Sequence, residues 1–195
     1  MSLLKRASDL FYTFRFLKLL VTKFENTDAF KMGIIDKNGK RNKAVQITTP
    51  EQRDVYTPFH RLVYNIKKIL NKVPGGSTTI GTYAAALYLL KERYGVSETH
   101  IERSLRQVGV DPTDFLAEQS QWFVLEHGRL SPGNYKLLND KVVNSTMDEI
   151  VKSKDCVYVD ENCYPVGFLF GLNIYEAVHI KTKQKVYVTT SELLR

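Results

Sequence analysis

The apolar residues of this chain change their spacing once, and that change limits the fold more than any other feature. Up to about residue 125 they recur at three- and four-residue intervals. From about Gly128 they fall in short alternating runs separated by turn signals. The first spacing lines one face of an α-helix, and the second suits β-strands. A chain of 195 residues divided in this way is expected to be α+β. A basic, mostly helical part over 1–125, with a β-hairpin at 33–47, precedes a small antiparallel sheet or partly closed barrel over 126–195.

The helical part reads in sequence order. In "LLKRASDLFYTFRFLKLLVTKF", Leu3, Ala7, Leu10, Phe14, Leu17 and Val21 lie on one face, widened by Phe11, Phe16 and Leu20. Such a stripe needs cover from the rest of the chain, a second subunit or a membrane surface. The Lys/Arg content here is only moderate, which favours the chain's own core or a homo-oligomer through the 3–21 helix over a membrane. Thr57-Pro58 opens the next helix with a cap and a proline that loses no hydrogen bond. Its apolar face is Phe59, Leu62, Val63, Ile66, Ile69, Leu70 and Val73. Arg61, Asn65, Lys68 and Lys72 run up another side as a basic stripe. Further helices are expected over Thr79–Tyr94, over "SETHIERSLRQVG" with Ser97 as cap, and over "DPTDFLAEQSQWF". In the second part, "KTKQK" joins Ile174–Ile180 to Val186–Val188 as a hairpin, and "NSTMDEIVKSK" reads as a short helix.

Between the second and third helices stands GGSTTIGT, which resembles a phosphate-binding loop. Gly76 and Gly81 have the spacing of that motif, but Thr82 stands where its lysine belongs, and a helix rather than a strand precedes it. The segment is better read as a helix break at Pro74-Gly75-Gly76 followed by a cap at Ser77 or Thr78. A helix-turn-helix is a second reading of this region, with Gly95 in the turn and Thr99, His100, Arg103, Arg106 and Gln107 presented by the second helix. Lys91 occupies a position where that motif wants a small residue, and the second helix also carries Glu98 and Glu102, so an ordinary helical bundle is the favoured reading.

Charge points to a class of partner. The chain carries a net +7, unevenly spread. Residues 1–93 hold 17 Lys/Arg against 7 Asp/Glu, and residues 94–195 hold 11 against 14. A basic half beside a mildly acidic half suits an anionic partner, nucleic acid first, although many soluble proteins are modestly basic without binding one. The Asn38-Gly39 dipeptide signals a tight turn, crowded by Lys37, Lys40, Arg41 and Lys43. These four, with Arg61, Lys68, Lys72, Arg103 and Arg106, are the candidate nucleic-acid contacts. The four histidines stand singly, and the two cysteines have no metal-ligand spacing. No catalytic residue, metal or cofactor is assigned, and the reading leans away from an enzyme. Both cysteines fall in strand-like sequence, where a free thiol behaves as a small hydrophobe, so a reducing compartment is expected, and no secretory signal or membrane-spanning run is visible.

Three stretches, "FENTDAFKMGIIDKNGKRNK", "YTPFHRLVYNIKKILNKVPGG" and "IYEAVHIKTKQKVYVT", together resemble a family of uncharacterised proteins of large contractile-tailed bacteriophages of the T-even-like type. The likeness covers about half the chain and includes no motif of known chemistry. It implies phage origin, a place in the phage particle or the host cytoplasm, and a role in the virion or in handling phage DNA. Two functions follow as expectations. One is a virion- or head-associated structural protein whose basic face meets nucleic acid, DNA first, or other phage proteins. The other is a non-virion nucleic-acid-binding accessory protein of replication or transcription.

Overall fold

A computed structural model of the chain describes residues 3–71, 78–110 and 123–195. Among these residues lie six α-helices: α1 (Leu3–Val21), α2 (Asp28–Lys31), α3 (Pro50–Val55), α4 (Pro58–Leu70), α5 (Thr78–Tyr94) and α6 (Glu98–Gln107). Eight short strands follow: β1 (Gly133–Leu137), β2 (Lys141–Val142), β3 (Ile150–Val151), β4 (Cys156–Val159), β5 (Gly167–Leu169), β6 (Leu172–His179), β7 (Lys185–Val188) and β8 (Leu193–Leu194). The protein is α+β with its helices first.

Caps place the helix starts. The Thr57 hydroxyl accepts from the backbone N–H of His60, with Pro58 as the first helical residue of α4. The sequence reading passed over α3. Thr49 and Gln52 cap each other's backbone there, with Pro50 in the first turn. The expected helix over "DPTDFLAEQSQWF" falls mostly outside the described residues, as does Lys72.

The main sheet runs β5-β6-β4-β1-β8, and β7 also pairs with β6. All pairings are antiparallel, and the sheet does not close into a barrel. The β6–β7 hairpin matches the pairing expected around "KTKQK". The short helix expected in "NSTMDEIVKSK" does not form. β2 pairs antiparallel with β3, so residues 144–148 must reverse the chain, and Met147 adopts φ 55° within that turn. The hairpin expected over 33–47 contracts to a tight turn closed by one bridge, Ile35 to Arg41.

A single apolar cluster joins the two halves. Phe16, Leu62, Ile66, Leu87, Leu90 and Ile101 from the helices pack with Val142, Leu169, Leu172, Ile174 and Tyr187 from the sheet. A second cluster lies within the sheet region around Tyr135, Val157 and Tyr175. A third anchors the 24–64 segment through Phe24, Ile34, Ile35, Tyr56 and Tyr64. The outer edge of β5 and the turn after it are covered by side chains from α5 and α6. Tyr88 Oη donates to the Val166 carbonyl at 2.9 Å and Lys91 Nζ to that of Phe168 at 3.2 Å. The Phe170 N–H donates to Glu98 Oε1 at 2.8 Å. Covering an edge in this way blocks strand addition by another chain.

Two buried lysines tie elements together. Lys67 Nζ donates to the Leu19 carbonyl at 3.3 Å and also to that of Thr22, so its charge meets the carbonyl end of α1. Burial pulls its ammonium below the ordinary lysine value. Lys141 pairs with Glu192, and both are almost fully buried. Burial pulls the Lys141 ammonium well down, opposed by the Asp140 carboxylate. Glu192 Oε2 also accepts from Thr189 N at 2.9 Å, which closes the chain's last turn, while the Lys141–Glu192 pair fastens that turn to β2.

Candidate nucleic-acid interface

Three segments far apart in sequence meet at a cleft of about 500 Å³. The first is the turn after α2. Asp36 Oδ1 accepts from Asn38 N at 2.8 Å and Lys40 N at 2.9 Å, and the Asp36 N–H donates to the Lys40 carbonyl at 2.9 Å. Such a turn, held by an aspartate side chain, leaves its intervening residues on the outside. Gly39 has φ +73° and lies on the Phe24 ring, where an added Cβ would be 2.5 Å from the ring carbons. The turn therefore seats on Phe24 and presents Lys37, Asn38 and Lys40 to the cleft.

The second segment is the end of α4, which supplies Lys68, Ile69 and Asn71. The carbonyls ending a helix carry partial negative charge, and Lys68 in the last turn offsets it. The third is the β2–β3 ribbon, which supplies Asp140, Ile150 and Lys152. Lys152 Nζ lies 3.1 Å from Asp140 Oδ2, and Asp140 Oδ1 accepts from Ser153 N at 3.0 Å. Four lysines thus line the cleft against one carboxylate, over Phe24, Ile69 and Ile150. A concave wall of net positive charge concentrates its field, which is the electrostatic requirement for holding phosphates.

The other candidate residues lie elsewhere. Arg41 turns back on its own loop. Its Nη1 donates to the Ile34 carbonyl at 3.2 Å and to that of Asn42, its Nη2 donates to Val45 at 2.5 Å, and its guanidinium lies 5.5 Å from the centre of the Tyr56 ring. Lys43 is exposed, and with Lys40 and Arg41 it lines a broader groove on the far side of the turn. Arg61 Nη1 lies 3.5 Å from Asp148 Oδ2. Asn65 is buried and donates to the Met147 carbonyl at 2.7 Å. The expected basic stripe on α4 is therefore divided: its first turns face the 147–148 turn, and Lys68 reaches the cleft. Arg103 and Arg106 are exposed on α6, which adds no residue to the cleft, and Arg106 pairs with Glu102 at 2.7 Å. Of the other side chains proposed for a recognition helix, Thr99 and Gln107 are exposed, whereas His100 is held by Asp9 and Ser97.

Lys152 was absent from the sequence candidates. It lies in the half with net negative charge, and only the β2–β3 pairing carries it to the basic turn. Phe24 was missed as the support for Gly39 because a contact between distant segments leaves no periodic signal.

Ser97, His100 and Asp9 come together, but Ser97 Oγ at 2.9 Å and Asp9 Oδ2 at 3.2 Å both approach Nδ1 of the ring. A nucleophile–base relay needs its two partners on opposite ring nitrogens. The trio instead fastens the start of α6 to α1, helped by Ser97 N donating to Asp9 Oδ1 at 3.0 Å. Among the described residues, no group of three or more His, Cys, Asp or Glu is placed to hold a metal ion. No described helix is long and apolar enough to cross a membrane. No protein-family model matches the chain, and no curated protein or solved structure matches it.

Proposed function

We propose that this chain is a structural protein of a phage particle or head whose basic face holds nucleic acid, centred on the cleft of Lys37, Lys40, Lys68 and Lys152. The observation that carries the reading is the convergence of these lysines from three separate segments on one concave surface. The resemblance of three sequence stretches to phage proteins supports the setting. The excess of Lys/Arg in residues 1–93 supports the sign of the partner. The lysines meet phosphates as point charges, so binding is expected to be largely independent of base sequence.

The test is duplex DNA binding as a function of salt. Neutralising three to four phosphates predicts an affinity loss of about 40- to 150-fold between 50 and 200 mM salt. Replacing Lys37, Lys68 and Lys152 together with glutamate should abolish most of the binding and flatten its salt dependence. Unchanged affinity in that variant refutes the cleft as the contact. The alternative, a non-virion accessory protein of replication or transcription, uses the same cleft or the exposed Thr99, Arg103 and Gln107 of α6. Mass spectrometry of purified particles separates the two, because absence of the chain from particles overturns the virion reading.

A further inference from the structure

The buried pair of Lys141 and Glu192 is unevenly provided for. The two side chains are 2% and 0% exposed. Among the described residues, Glu192 Oε1 is the one acceptor at Lys141 Nζ, whereas an ammonium carries three N–H donors. A buried ammonium with donors left unmatched is costly. The carboxyl group is held from its other side. Its Oε2 accepts from the Thr189 N–H at 2.9 Å and from the Thr189 hydroxyl at 3.2 Å.

Both partners are fixed by backbone pairing. Lys141 pairs with Val151 in the β2–β3 ribbon. The Glu192 carbonyl accepts from Leu138 N at 2.9 Å, and the next residue, Leu193, pairs with Leu137. An amine and a carboxyl group held in contact react as if at very high concentration. The surroundings also change which product is favoured. In water the separate ammonium and carboxylate are preferred to an amide, because water solvates both charges. Here Ile69, Ala85, Ala86 and Tyr187 line the narrow void beside Lys141, and burial removes that solvation from both groups. The same burial already pulls the Lys141 ammonium well down, toward the neutral amine that can act as a nucleophile.

We infer that Lys141 and Glu192 condense in the folded chain to an isopeptide bond between Nζ and Cδ. The ammonium first gives one proton to the carboxylate, which leaves a neutral amine beside a neutral carboxylic acid. Nζ attacks Cδ, and negative charge gathers on Oε2, where the Thr189 N–H and hydroxyl stabilise it. The Nζ–Cδ bond forms and the Cδ–Oε1 bond breaks. Nζ passes one further proton to Oε1, which departs as water with the proton it already holds. A carboxylate for relaying that proton stands beside the pair, since Asp140 lines the same narrow void as Lys141. The amide keeps Oε2 on its Thr189 donors and leaves one N–H where the ammonium had three. It also closes a covalent loop between residues 51 positions apart, which restricts the unfolded chain and fastens its last turn to β2.

Neither Lys141 nor Glu192 lines the nucleic-acid cleft, so the inference stands apart from that reading. It is tested by mass spectrometry of the full folded chain, incubated at neutral pH until its mass is constant and then denatured. The expected mass is the 22.4 kDa of the sequence less one water. Trypsin cannot cleave after a lysine whose amine is acylated, so the digest should contain residues 137–152 joined to residues 186–195 as one branched peptide. Lys141→Met should retain the full mass of its sequence. A wild-type chain that keeps its full mass throughout overturns the inference. So does a loss of water without the branched peptide, or the same loss in Lys141→Met.

Discussion

His60 shows how a single side chain can set a pH limit on stability. Its ring is buried at the start of α4, with Arg15 Nη2 3.3 Å from Nε2 and the Thr57 hydroxyl 2.8 Å from Nδ1. Burial, and then the Arg15 charge, push its pKa down to about 4. In the unfolded chain the imidazole takes a proton near its ordinary value of 6.5, whereas the folded protein resists until about 4. Its contribution to stability is therefore whole above pH 6.5 and is lost as the pH falls toward 4. The loss amounts to about 2–3 kcal/mol over that window. Urea denaturation at pH 7 and pH 4.5 should show a drop in midpoint that is smaller in His60→Gln, which cannot take up the proton. Equal drops in the two proteins would remove His60 as the cause.

At the scale of an element, the basic turn depends on one glycine. Gly39 combines a positive φ with direct contact on the Phe24 ring, and Phe24 is itself held by Tyr64 and the Lys67 ammonium. A methyl group at this position would strain the backbone and displace the ring. Gly39→Ala is expected to cost about 2–3 kcal/mol and to weaken DNA binding, because Lys37 and Lys40 would no longer be set against Lys68 and Lys152. Chemical denaturation and a binding titration on the same variant check both outcomes. A stability loss with intact affinity would show that the turn's geometry does not matter to binding.

At the scale of the molecule, the helices and the sheet share buried surface. The largest cluster contains side chains of α1, α4, α5 and α6 together with Val142, Met147, Leu169, Leu172, Ile174 and Tyr187. Neither set can expose its part without opening the other, so unfolding should be cooperative. Urea transitions followed by far-UV circular dichroism, dominated by the helices, and by near-UV signals of the tyrosines should coincide. Two separated midpoints would show that the halves unfold independently.

Much of the architecture was legible along the chain because it is local. Hydrophobic period, the Thr57-Pro58 cap, the Gly95 stop and the Asn38-Gly39 turn depend on residues within a few positions of one another. They determined an α+β protein with its helices first, its basic turn, and the pairing of β6 with β7. The break and cap read into GGSTTIGT lie mostly outside the described residues, but α5, which opens at Thr78, follows helix α4 and not a strand. What the residues bring together was decided only in three dimensions. Periodicity placed Arg61 and Lys68 on one stripe, but the 147–148 turn covers the first and the β2–β3 ribbon meets the second. The α1 stripe looked like one face in sequence, yet the helix turns Phe16 and Leu20 inward and leaves Leu10 and Phe14 outside. Burial and convergence depend on contacts between distant segments, and these write no spacing into the sequence of either segment.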